Sequence, residues 1–368
     1  MRYMVVPLLG LVLMSCSLRL FAPEHIEGKP WHHVEGGFRN LPDSPQRGST
    51  FWQRVSFIVP RLLASLTSTT PKDTWTLAHV PSSHVLSAVD VKEQLKAVEG
   101  KDSLTWIGHA TFLVQLDGKR ILTDPFFAER ASPVSWAGPR RLIPPAIALH
   151  GLPPIDIMVV SHNHYDHLCD WSITHMANKE SITVVVPLEM GDFFRERGYK
   201  DVIELDWWDD VEVDGITVTM LPAVHWSRRG LFDGNEMLWA SFALAGKTHV
   251  VYHSGDSDKH PTLFRQIAQR MGSCDIGIMA IGAYLPRAVM RGSHMTPRTA
   301  VQMGQELGCN ALVGQHWGTI RLGQETLTQP EDNFFKAADE LGQAVVDMAI
   351  GRTIPLDRPP VRPLRENF

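Results

Sequence analysis

Short apolar runs separated by polar turns dominate the chain from about residue 104 onward. Runs of this length bounded by turn residues indicate buried strands, and six of them are residues 121–123, 155–160, 182–187, 216–222, 249–252 and 311–314. Residues 189–197, closed by Gly198, predict a helix. A second helix is predicted from the capping residue Thr296 and Pro297 to Gly308. Alternating strands and helices predict an α/β domain.

Side chains that bind metals are concentrated where these predicted strands end. Residues 161–167 (SHNHYDH) directly follow the run 155–160 and place three histidines and one aspartate in the order H-x-H-x-D-H. Three further candidates, His225, Asp256 and His316, each follow another predicted strand. Imidazole and carboxylate groups suit zinc and similar first-row metals. Strand ends hold the backbone in place, so several of them can direct side chains to one point.

The number of candidate ligands predicts two metal ions. One tetrahedral zinc takes four ligands, whereas two ions that share a carboxylate account for seven. Two ions about 3.5–4 Å apart can clamp both oxygens of a displacement, and a hydroxide between them is a nucleophile near neutral pH. Zinc is the predicted metal, although iron and manganese accept the same ligand types. We assign His162, His164 and His225 to one ion, Asp166, His167 and His316 to the other, and Asp256 as the bridge.

The chain also resembles a known family through motifs spread along its sequence. These motifs are residues 106–111 (WIGHAT), 122–125 (LTDP), 152–156 (LPPID) leading into SHNHYDH, 282–287 (GAYLPR) and 316–319 (HWGT). Together they resemble the metallo-β-lactamase superfamily, and within it the branch containing the phospholipase D that hydrolyses N-acyl-phosphatidylethanolamine. The resemblance implies an α/β fold, a four-layer αββα sandwich, with the metals at one edge.

The resemblance implies roles for residues around the metals. Asp124 resembles the acidic residue that orients a metal-bound histidine, and such histidines commonly donate their second N–H to a carboxylate. His109 is predicted to lie behind the ligands in the same way. His294 is expected near the substrate phosphate, where an imidazole can stabilise developing charge or protonate the leaving alkoxide. For all three, an ordinary structural or surface role is the alternative. The predicted catalytic residues are Asp166, Asp256 and His294, and the predicted substrate contacts are Tyr284 and Arg287.

A lipid substrate needs a wide apolar approach to the metals. Large apolar side chains occur in and around the predicted loops, and tryptophan is favoured where one end is dry and the other wet. For Trp207 and Trp208, packing in the core is an equally good interpretation. The candidates are Trp136, Trp207, Trp208, Trp226, Leu231, Phe232 and Trp239.

Composition narrows the class of protein. The 368 residues are 44% hydrophobic and 20% charged, which is typical of a globular enzyme with a large core. The formal net charge of −5 argues against a nucleic-acid-binding protein, which usually has a basic excess. Cys169 is expected to be a small buried residue and not a ligand. A disulfide between Cys274 and Cys309 is compatible with the periplasm, but the sequence leaves it open.

The first residues predict export and lipid attachment. Arg2 and the apolar run 5–14 fit a secretory signal that is too short to span a bilayer as a helix. Residues 13–16 (LMSC) resemble a bacterial lipobox, which would make Cys16 the lipidated residue of an outer-membrane lipoprotein facing the periplasm. An ordinary cleaved signal is the alternative.

We divide the chain into four parts. Residues 1–16 are the signal and lipobox, 17–99 a tether and N-terminal extension, 100–355 the hydrolase domain, and 356–368 a C-terminal tail. Residues 21–50 have little periodicity and predict an irregular lead-in. The apolar stretch 51–66 is interpreted as packing against the domain, or as a surface facing membrane or substrate.

These observations predict a zinc-dependent hydrolase of a phosphodiester lipid. In the predicted reaction a metal-bridging hydroxide attacks phosphorus, and N-acyl-phosphatidylethanolamine gives N-acylethanolamine and phosphatidic acid. The alternatives are a bimetal hydrolase of another ester, lactone or small phosphorylated metabolite, a β-lactam hydrolase, and a non-catalytic envelope lipoprotein. The expected partners are a phospholipid, the membrane through the lipid anchor, and a second copy in a homodimer, with no nucleic acid.

Overall fold

The fold is taken from a computed structural model, which describes residues 23–67 and 80–363, without the side chains of residues 62–67. The predicted signal and Cys16 lie outside the described residues. The described strands are β1 (His33–Val34), β2 (Gly37–Phe38), β3 (Ser103–Gly108), β4 (Thr111–Leu116), β5 (Lys119–Thr123), β6 (Ile157–Val159), β7 (Thr183–Pro187), β8 (Asp201–Leu205), β9 (Asp210–Val213), β10 (Ile216–Leu221), β11 (Ser241–Ala245), β12 (Val250–His253), β13 (Ile276–Ala280), β14 (Ala311–Gln315) and β15 (Thr353–Pro355).

The described helices confirm both predicted helices, with shorter bounds. They are α1 (Phe51–Thr67), α2 (Ala88–Ala97), α3 (Asp170–His175), α4 (Gly191–Arg195), α5 (Leu263–Met271), α6 (Arg287–Met290), α7 (Pro297–Glu306) and α8 (Gln329–Leu341). Helix α7 begins as predicted, because the Thr299 backbone N–H donates to the Thr296 hydroxyl at 3.2 Å. Helix α4 is only five residues long, and Glu189, with a φ of 68°, precedes it in a turn.

Two large sheets form the centre of the fold. One has the order β15-β3-β4-β5-β6-β7-β8, and the other has the order β14-β13-β12-β11-β10-β9. Strands β5 to β8 run parallel, as do β12 to β14. Because parallel strands end at the same edge of a sheet, the segments after β5 and β6 share one edge, and those after β12 and β14 share another. Strand β10 is antiparallel to β11, which is antiparallel to β12, so the segment after β10 lies at the same edge as those after β12 and β14. The predicted ligands follow β6, β10, β12 and β14.

A large hydrophobic core lies between the sheets, and helices cover their outer faces. Trp106 and Phe112 from one sheet and Phe242 from the other are completely buried in this core. Helices α7 and α8 pack together, and α7 packs on β13, while α4 packs on β7 and β8. This helix–sheet–sheet–helix arrangement is the predicted αββα sandwich.

Two of the aromatic candidates for the substrate approach belong to the core: Trp239, against the prediction, and Trp207, for which core packing was the equal alternative. Trp207 and Trp239 are buried, and the Trp207 indole N–H donates to the Trp239 carbonyl at 2.6 Å. In contrast, Trp136 and Phe232 are 66% and 72% exposed. Tertiary packing therefore separates tryptophans that the sequence could not distinguish.

The N-terminal segment is more ordered than the predicted lead-in. Strands β1 and β2 form a small antiparallel hairpin, and the Phe38 backbone N–H donates to the Asn235 carbonyl at 2.8 Å. Helix α1 follows and packs against α6. Within the described ranges, no helix has the length and apolar composition needed to cross a membrane.

A disulfide joins Cys274 to Cys309, with their Cα atoms 4.4 Å apart. The two cysteines precede the parallel neighbours β13 and β14, at the edge opposite the predicted ligands. Cys169 is a free, buried cysteine that packs in a small apolar cluster with Phe126 and Ile320, as predicted.

Replacing both Cys274 and Cys309 with alanine should lower the free energy of unfolding by about 3–4 kcal/mol, because the crosslink closes a loop with a sequence separation of 35. The measurement is denaturant unfolding of the oxidised protein, with Cys169→Ala as the control for loss of a cysteine outside the crosslink. Metal content should not change. An unfolding midpoint identical to that of the wild type would contradict the prediction.

Candidate metal centre

The structure brings all seven predicted ligands together at the shared edge of the two sheets. The strand ends after β6, β10, β12 and β14 each contribute at least one of them. Together with His109, they form two groups in which the donor atoms lie within 4.8 Å of one another. The first group is His162, His164, His225 and Asp256, and the second is His109, Asp166, His167 and His316. This division matches the sequence prediction, with His109 added to the second group.

In the first group, three imidazole nitrogens face one another. His164 Nδ1 lies 2.8 Å from His162 Nε2 and 3.1 Å from His225 Nε2. The Ser293 carbonyl accepts a hydrogen bond from His225 Nδ1 at 2.9 Å. His162 Nδ1 donates to the Ser161 hydroxyl, whose own proton goes to a carboxylate. The hydrogen-bond network therefore assigns the protons of His162 and His225 to Nδ1.

This tautomer assignment makes the first group a good fit for a cation. Burial lowers the pKa of His225 to about 3 and that of His162 well below its ordinary value, so both rings are neutral. Their Nε2 lone pairs then point at His164 Nδ1, which can carry only one proton. The other ring nitrogen of His164 is buried without a hydrogen-bond partner among the described residues. A bound metal ion would accept all three lone pairs and relieve this conflict.

The second group places a histidine nitrogen between two carboxylates. His167 Nε2 lies 3.5 Å from Asp166 Oδ2 and 3.3 Å from Asp256 Oδ2. His316 Nε2 lies 3.2 Å from the same two oxygen atoms. Burial opposes a charge on His167, but Asp256, Asp166 and Asp124 outweigh it and raise its pKa well above the ordinary value. The carboxylates around His167 therefore favour a positive charge in the second group. A metal cation would supply that charge in place of the proton on His167.

Asp256 lies between the two groups. Its Oδ2 is 3.8 Å from His162 Nε2 and 3.7 Å from His225 Nε2, in addition to its contacts in the second group. Its Oδ1 is buried and has no hydrogen-bond partner among the described residues. Gly255, with a φ of 51°, forms the turn before it, and a Cβ there would lie 2.7 Å from the Ser161 Cβ. Only glycine fits this close approach without displacement of a neighbour. The position of Asp256 suits a bridging carboxylate.

Asp124 holds the ligands from behind. Its Oδ2 accepts hydrogen bonds from His167 Nδ1 at 2.8 Å, the Ser161 hydroxyl at 2.8 Å and His253 Nε2 at 2.9 Å. Burial alone would raise the pKa of Asp124, but His167 and His253 hold it below the ordinary range. Because His167 donates from Nδ1, its Nε2 is left free to face the second group. The structure thus places Asp124 where the sequence analysis expected an orienting carboxylate.

His253 also hydrogen-bonds Asp124, although no sequence pattern predicted a role for it. This residue ends β12 and is completely buried. The available signal was its position three residues before Asp256, at a strand end of the same edge. His253 reaches the centre only through Asp124, which the fold brings to it from the other sheet.

His109 lies directly against a predicted ligand. Its Nε2 lies 2.9 Å from Asp166 Oδ2, and its ring centroid is 4.2 Å from that of His316. Burial lowers the pKa of His109 to about 3, so the neutral ring donates its single N–H to Asp166. The His109 backbone has a φ of 57° and its N–H donates to Thr319 Oγ1 at 3.0 Å. This tight turn directs the ring inward.

His294 lies beside the metal centre, whereas Arg287 and Tyr284 have hydrogen-bond partners within the protein. His294 Nδ1 is buried, 3.9 Å from Asp256 Oδ2, beside the centre. Arg287 donates to the His294 carbonyl at 2.5 Å and pairs with Asp258 at 3.1 Å, so it braces the loop that carries His294. Tyr284 is buried, and its hydroxyl accepts from Asn333 at 3.0 Å. Substrate contact by Tyr284 or Arg287 therefore stays a prediction.

A loop with apolar residues at its tip covers the H-x-H-x-D-H segment. Arg229 donates to the carbonyls of Asn163 and Leu168, at 2.8 and 2.6 Å, which fastens the loop to the metal-binding segment. Leu231 and Phe232, beyond this attachment, are exposed. Trp226, at the start of the loop, packs its ring 4.3 Å from that of His164. The loop thus places one aromatic ring against the first group and carries two exposed apolar side chains beyond its attachment.

A third histidine–aspartate cluster is explained by hydrogen bonds alone. His32 Nε2 and His33 Nε2 lie 2.6 and 2.7 Å from the two oxygens of Asp206. Here each nitrogen faces a carboxylate oxygen that accepts its proton, so no lone pairs oppose each other. His32 also stacks on Trp207, with ring centroids 4.2 Å apart. This cluster fastens the N-terminal hairpin to the domain.

The chain belongs to the beta-lactamase superfamily. The family model for the beta-lactamase superfamily domain matches residues 119–317, more than half of the chain. The match contains both donor groups except His109. Together with the fold and the relatives described next, it makes this protein an enzyme of the metal-dependent hydrolase class.

Curated relatives include two phospholipases and one unassigned hydrolase. The "N-acyl-phosphatidylethanolamine-hydrolyzing phospholipase D 1" of Caenorhabditis elegans is 37% identical over 64% of this chain and 69% of its own length. The mitochondrial enzyme of that name in Saccharomyces cerevisiae is 31% identical over 70% of this chain, but only 55% of its own length. A "UPF0173 metal-dependent hydrolase" of Caldivirga maquilingensis is 31% identical over 59% and 82%, respectively.

Solved structures of low sequence identity share the fold. A metallo hydrolase of Ignicoccus hospitalis has a TM-score of 0.53 and 19% identity, over 69% of this chain and 97% of its own. CmlA of Streptomyces venezuelae, described as a diiron beta-hydroxylase, has the same TM-score and identity over 69% and 54%. These similarities concern the fold alone.

Asp124→Asn should weaken metal binding about 10- to 100-fold, because the amide cannot accept from His167, Ser161 and His253 as the carboxylate does. The measurement is competition for zinc with a chromogenic chelator, combined with metal analysis. Asp117→Asn, on an exposed turn, is the matched control. If the Asp124 variant retained wild-type zinc affinity, Asp124 would have no orienting role.

Proposed function

We propose that this enzyme hydrolyses the phosphodiester bond of N-acyl-phosphatidylethanolamine, giving N-acylethanolamine and phosphatidic acid. We propose two Zn²⁺ ions as its metals. The observation that carries the proposal is a pair of donor groups sharing Asp256, in a chain 37% identical to a phospholipase named for that reaction. Nitrogen-rich donor groups favour zinc over the harder cations.

The residues of the two groups would hold the ions. When bound, two divalent ions would polarise phosphate oxygens and lower the pKa of a water molecule. The three histidines of the first group would hold one ion and His167, His316 and Asp166 the other, with Asp256 shared. His109 would keep Asp166 oriented through its 2.9 Å contact, and Asp124 would do the same for His167.

His294 is proposed to contact the phosphate. Burial lowers its pKa to about 3, so the ring is neutral at physiological pH and carries one N–H. A neutral imidazole can still donate that proton in a hydrogen bond to a phosphate oxygen, where charge develops during displacement. The bracing of its backbone by Arg287 would keep the ring beside Asp256.

Exposed apolar side chains on the loop that is fastened to the metal-binding segment support a lipid substrate over a small polar one. Leu231 and Phe232 are 38% and 72% exposed on the loop fastened by Arg229, and Trp136 is exposed on a separate loop. Leu231 and Phe232 are neighbours in the chain, and exposed apolar residues that lie together mark ligand or membrane sites. Acyl chains of the substrate would rest on this surface while its phosphate reaches the metals.

Hydrolysis of another ester is the second candidate. The relative from Caldivirga maquilingensis carries only the description of a metal-dependent hydrolase, and its similarity extends over 82% of its length. The same donor groups would serve a lactone or a small phosphorylated metabolite.

We further propose that Cys16 carries lipid and holds the enzyme at the outer membrane, facing the periplasm. The run 13–16 supports this proposal. Each buried methylene of an acyl chain adds about 0.8 kcal/mol of membrane affinity, and the anchor would keep the active site beside its phospholipid substrate.

His167→Ala and Asp256→Ala should each reduce turnover of N-acyl-phosphatidylethanolamine at least 10³-fold, because each removes a donor from the centre. The measurement is mass spectrometry of both products, with purified enzyme and added zinc. His150→Ala, at an exposed histidine, is the control and should retain activity. Wild-type enzyme that binds two ions but releases neither product would favour the second candidate function, and full activity of either variant would refute the metal centre.

Cys16→Ser should move the protein from the membrane fraction to the soluble fraction, because it removes the site of acylation. The measurement is fractionation of cells producing the full chain, followed by mass spectrometry of the mature N-terminus. Membrane association of the serine variant equal to that of the wild type would refute the anchor.

A further inference from the structure

One predicted metal ligand is held at its backbone by a side chain far away in sequence. The Asn40 side chain donates from Nδ2 to the His225 carbonyl at 2.8 Å, and its Oδ1 accepts from the His225 N–H at 3.1 Å. The same oxygen accepts from the Trp239 indole at 3.3 Å. Asn40 lies outside the segment 119–317 that matches the family model.

These two hydrogen bonds hold the backbone from which the His225 ring projects. His225 lies four residues after β10 ends, so its peptide groups are outside the strand ladder. Asn40 satisfies both backbone groups of this one residue, as a neighbouring strand would. The Ser293 carbonyl holds the other end of the side chain through Nδ1. With backbone and ring both held, His225 Nε2 faces His164 Nδ1 and Asp256.

The segment carrying Asn40, which we call the N-terminal strap (residues 32–47), is fastened on both sides of it. On one side, His32 and His33 bind Asp206, at 2.6 and 2.7 Å. On the other side, the Pro42 carbonyl accepts from His260 Nε2 at 2.7 Å.

The far end of the strap also reaches the centre. The Arg47 guanidinium lies over the Trp226 ring, 4.1 Å from its centroid, and Trp226 packs on His164. A Cβ at Gly292 would lie 2.5 Å from the Pro45 carbonyl oxygen, so the strap approaches the loop before Ser293 and His294 too closely for another residue. The strap therefore lies against both segments that support the first group.

We propose that Asn40 is a positioning residue for His225, and that the N-terminal strap completes the first donor group of the metal centre. The inference rests on the proposed role of His225 as a ligand. The second group is supported by His109 and, at His167, by Asp124, and neither of these residues belongs to the strap. Loss of the Asn40 contacts should therefore weaken one of the two metal sites and leave the other unchanged.

The test compares zinc binding by Asn40→Leu, Asn40→Asp and wild-type enzyme. Asn40→Leu removes both hydrogen bonds to His225, and the one from Trp239, at similar size. Asn40→Asp keeps an acceptor oxygen and loses the donor. Arg39→Ala is the matched control within the strap, because the Arg39 side chain binds the carbonyl and ring of Trp31. Stepwise zinc titration against a chromogenic chelator resolves the two sites, and thermal unfolding monitors the fold.

We expect Asn40→Leu to weaken one zinc site about 10- to 100-fold, the usual effect of losing a group that orients a ligand. Asn40→Asp should fall between this variant and the wild type, and it provides the measurement if Asn40→Leu does not fold. Arg39→Ala should bind two ions with wild-type affinity. Unchanged zinc affinity at both sites in the Asn40 variants, whatever their thermal stability, would overturn the inference.

A parallel His225→Ala variant separates this inference from the proposed function. If His225→Ala loses one ion and the Asn40 variants lose none, only the positioning role of Asn40 fails. If His225→Ala retains both ions with wild-type affinity, the ligand assignment itself fails, and the inference fails with it.

Discussion

Buried lone pairs directed at one another are the constraint on which this site depends. Side chains after four strands point their nitrogens and carboxylate oxygens inward, and the proton assignments of His162 and His225 leave their Nε2 atoms without hydrogen. Placing such groups in a dry interior without a countercharge is costly. The core on either side of the sheets must therefore be rigid enough to hold them, and the completely buried side chains of the two inner faces provide that rigidity.

A layer of ordinary hydrogen bonds converts this rigidity into defined ring directions. Asp124 connects the sheets, because it follows β5 in one and accepts from His253 at the end of β12 in the other. The Ser161 hydroxyl and the Ser293 carbonyl each decide which nitrogen of a neighbouring histidine carries its proton. The Asn40 side chain hydrogen-bonds both backbone groups of His225. The groups behind the donors thus matter as much as the donors, because a histidine with a free ring could turn either nitrogen toward the centre.

Local patterns in the sequence were sufficient for much of the fold. Apolar runs located strands β5, β6, β7, β10, β12 and β14 within a few residues, and Thr296 with Pro297 located the start of α7. Residue type and strand-end position were also enough to select the seven donors, and the resemblance supplied Asp124 and His109. Local patterns failed for Trp239, which looks like a loop tryptophan but is packed in the core, and they left Trp207 undecided between core and loop. They also failed for the lead-in, which forms a hairpin bound to Asp206.

The sequence by itself determined which residue types stand at the ends of which strands, because that information is local: alternation, capping and motif spacing are all written within a few positions. Only the tertiary structure decided which of those ends meet. His253 and Asp124 are 129 residues apart, and Asn40 and His225 are 185 apart. No local pattern encodes such a contact, because it exists only when the two sheets close on a common core and bring their edges, and the strap, to one place.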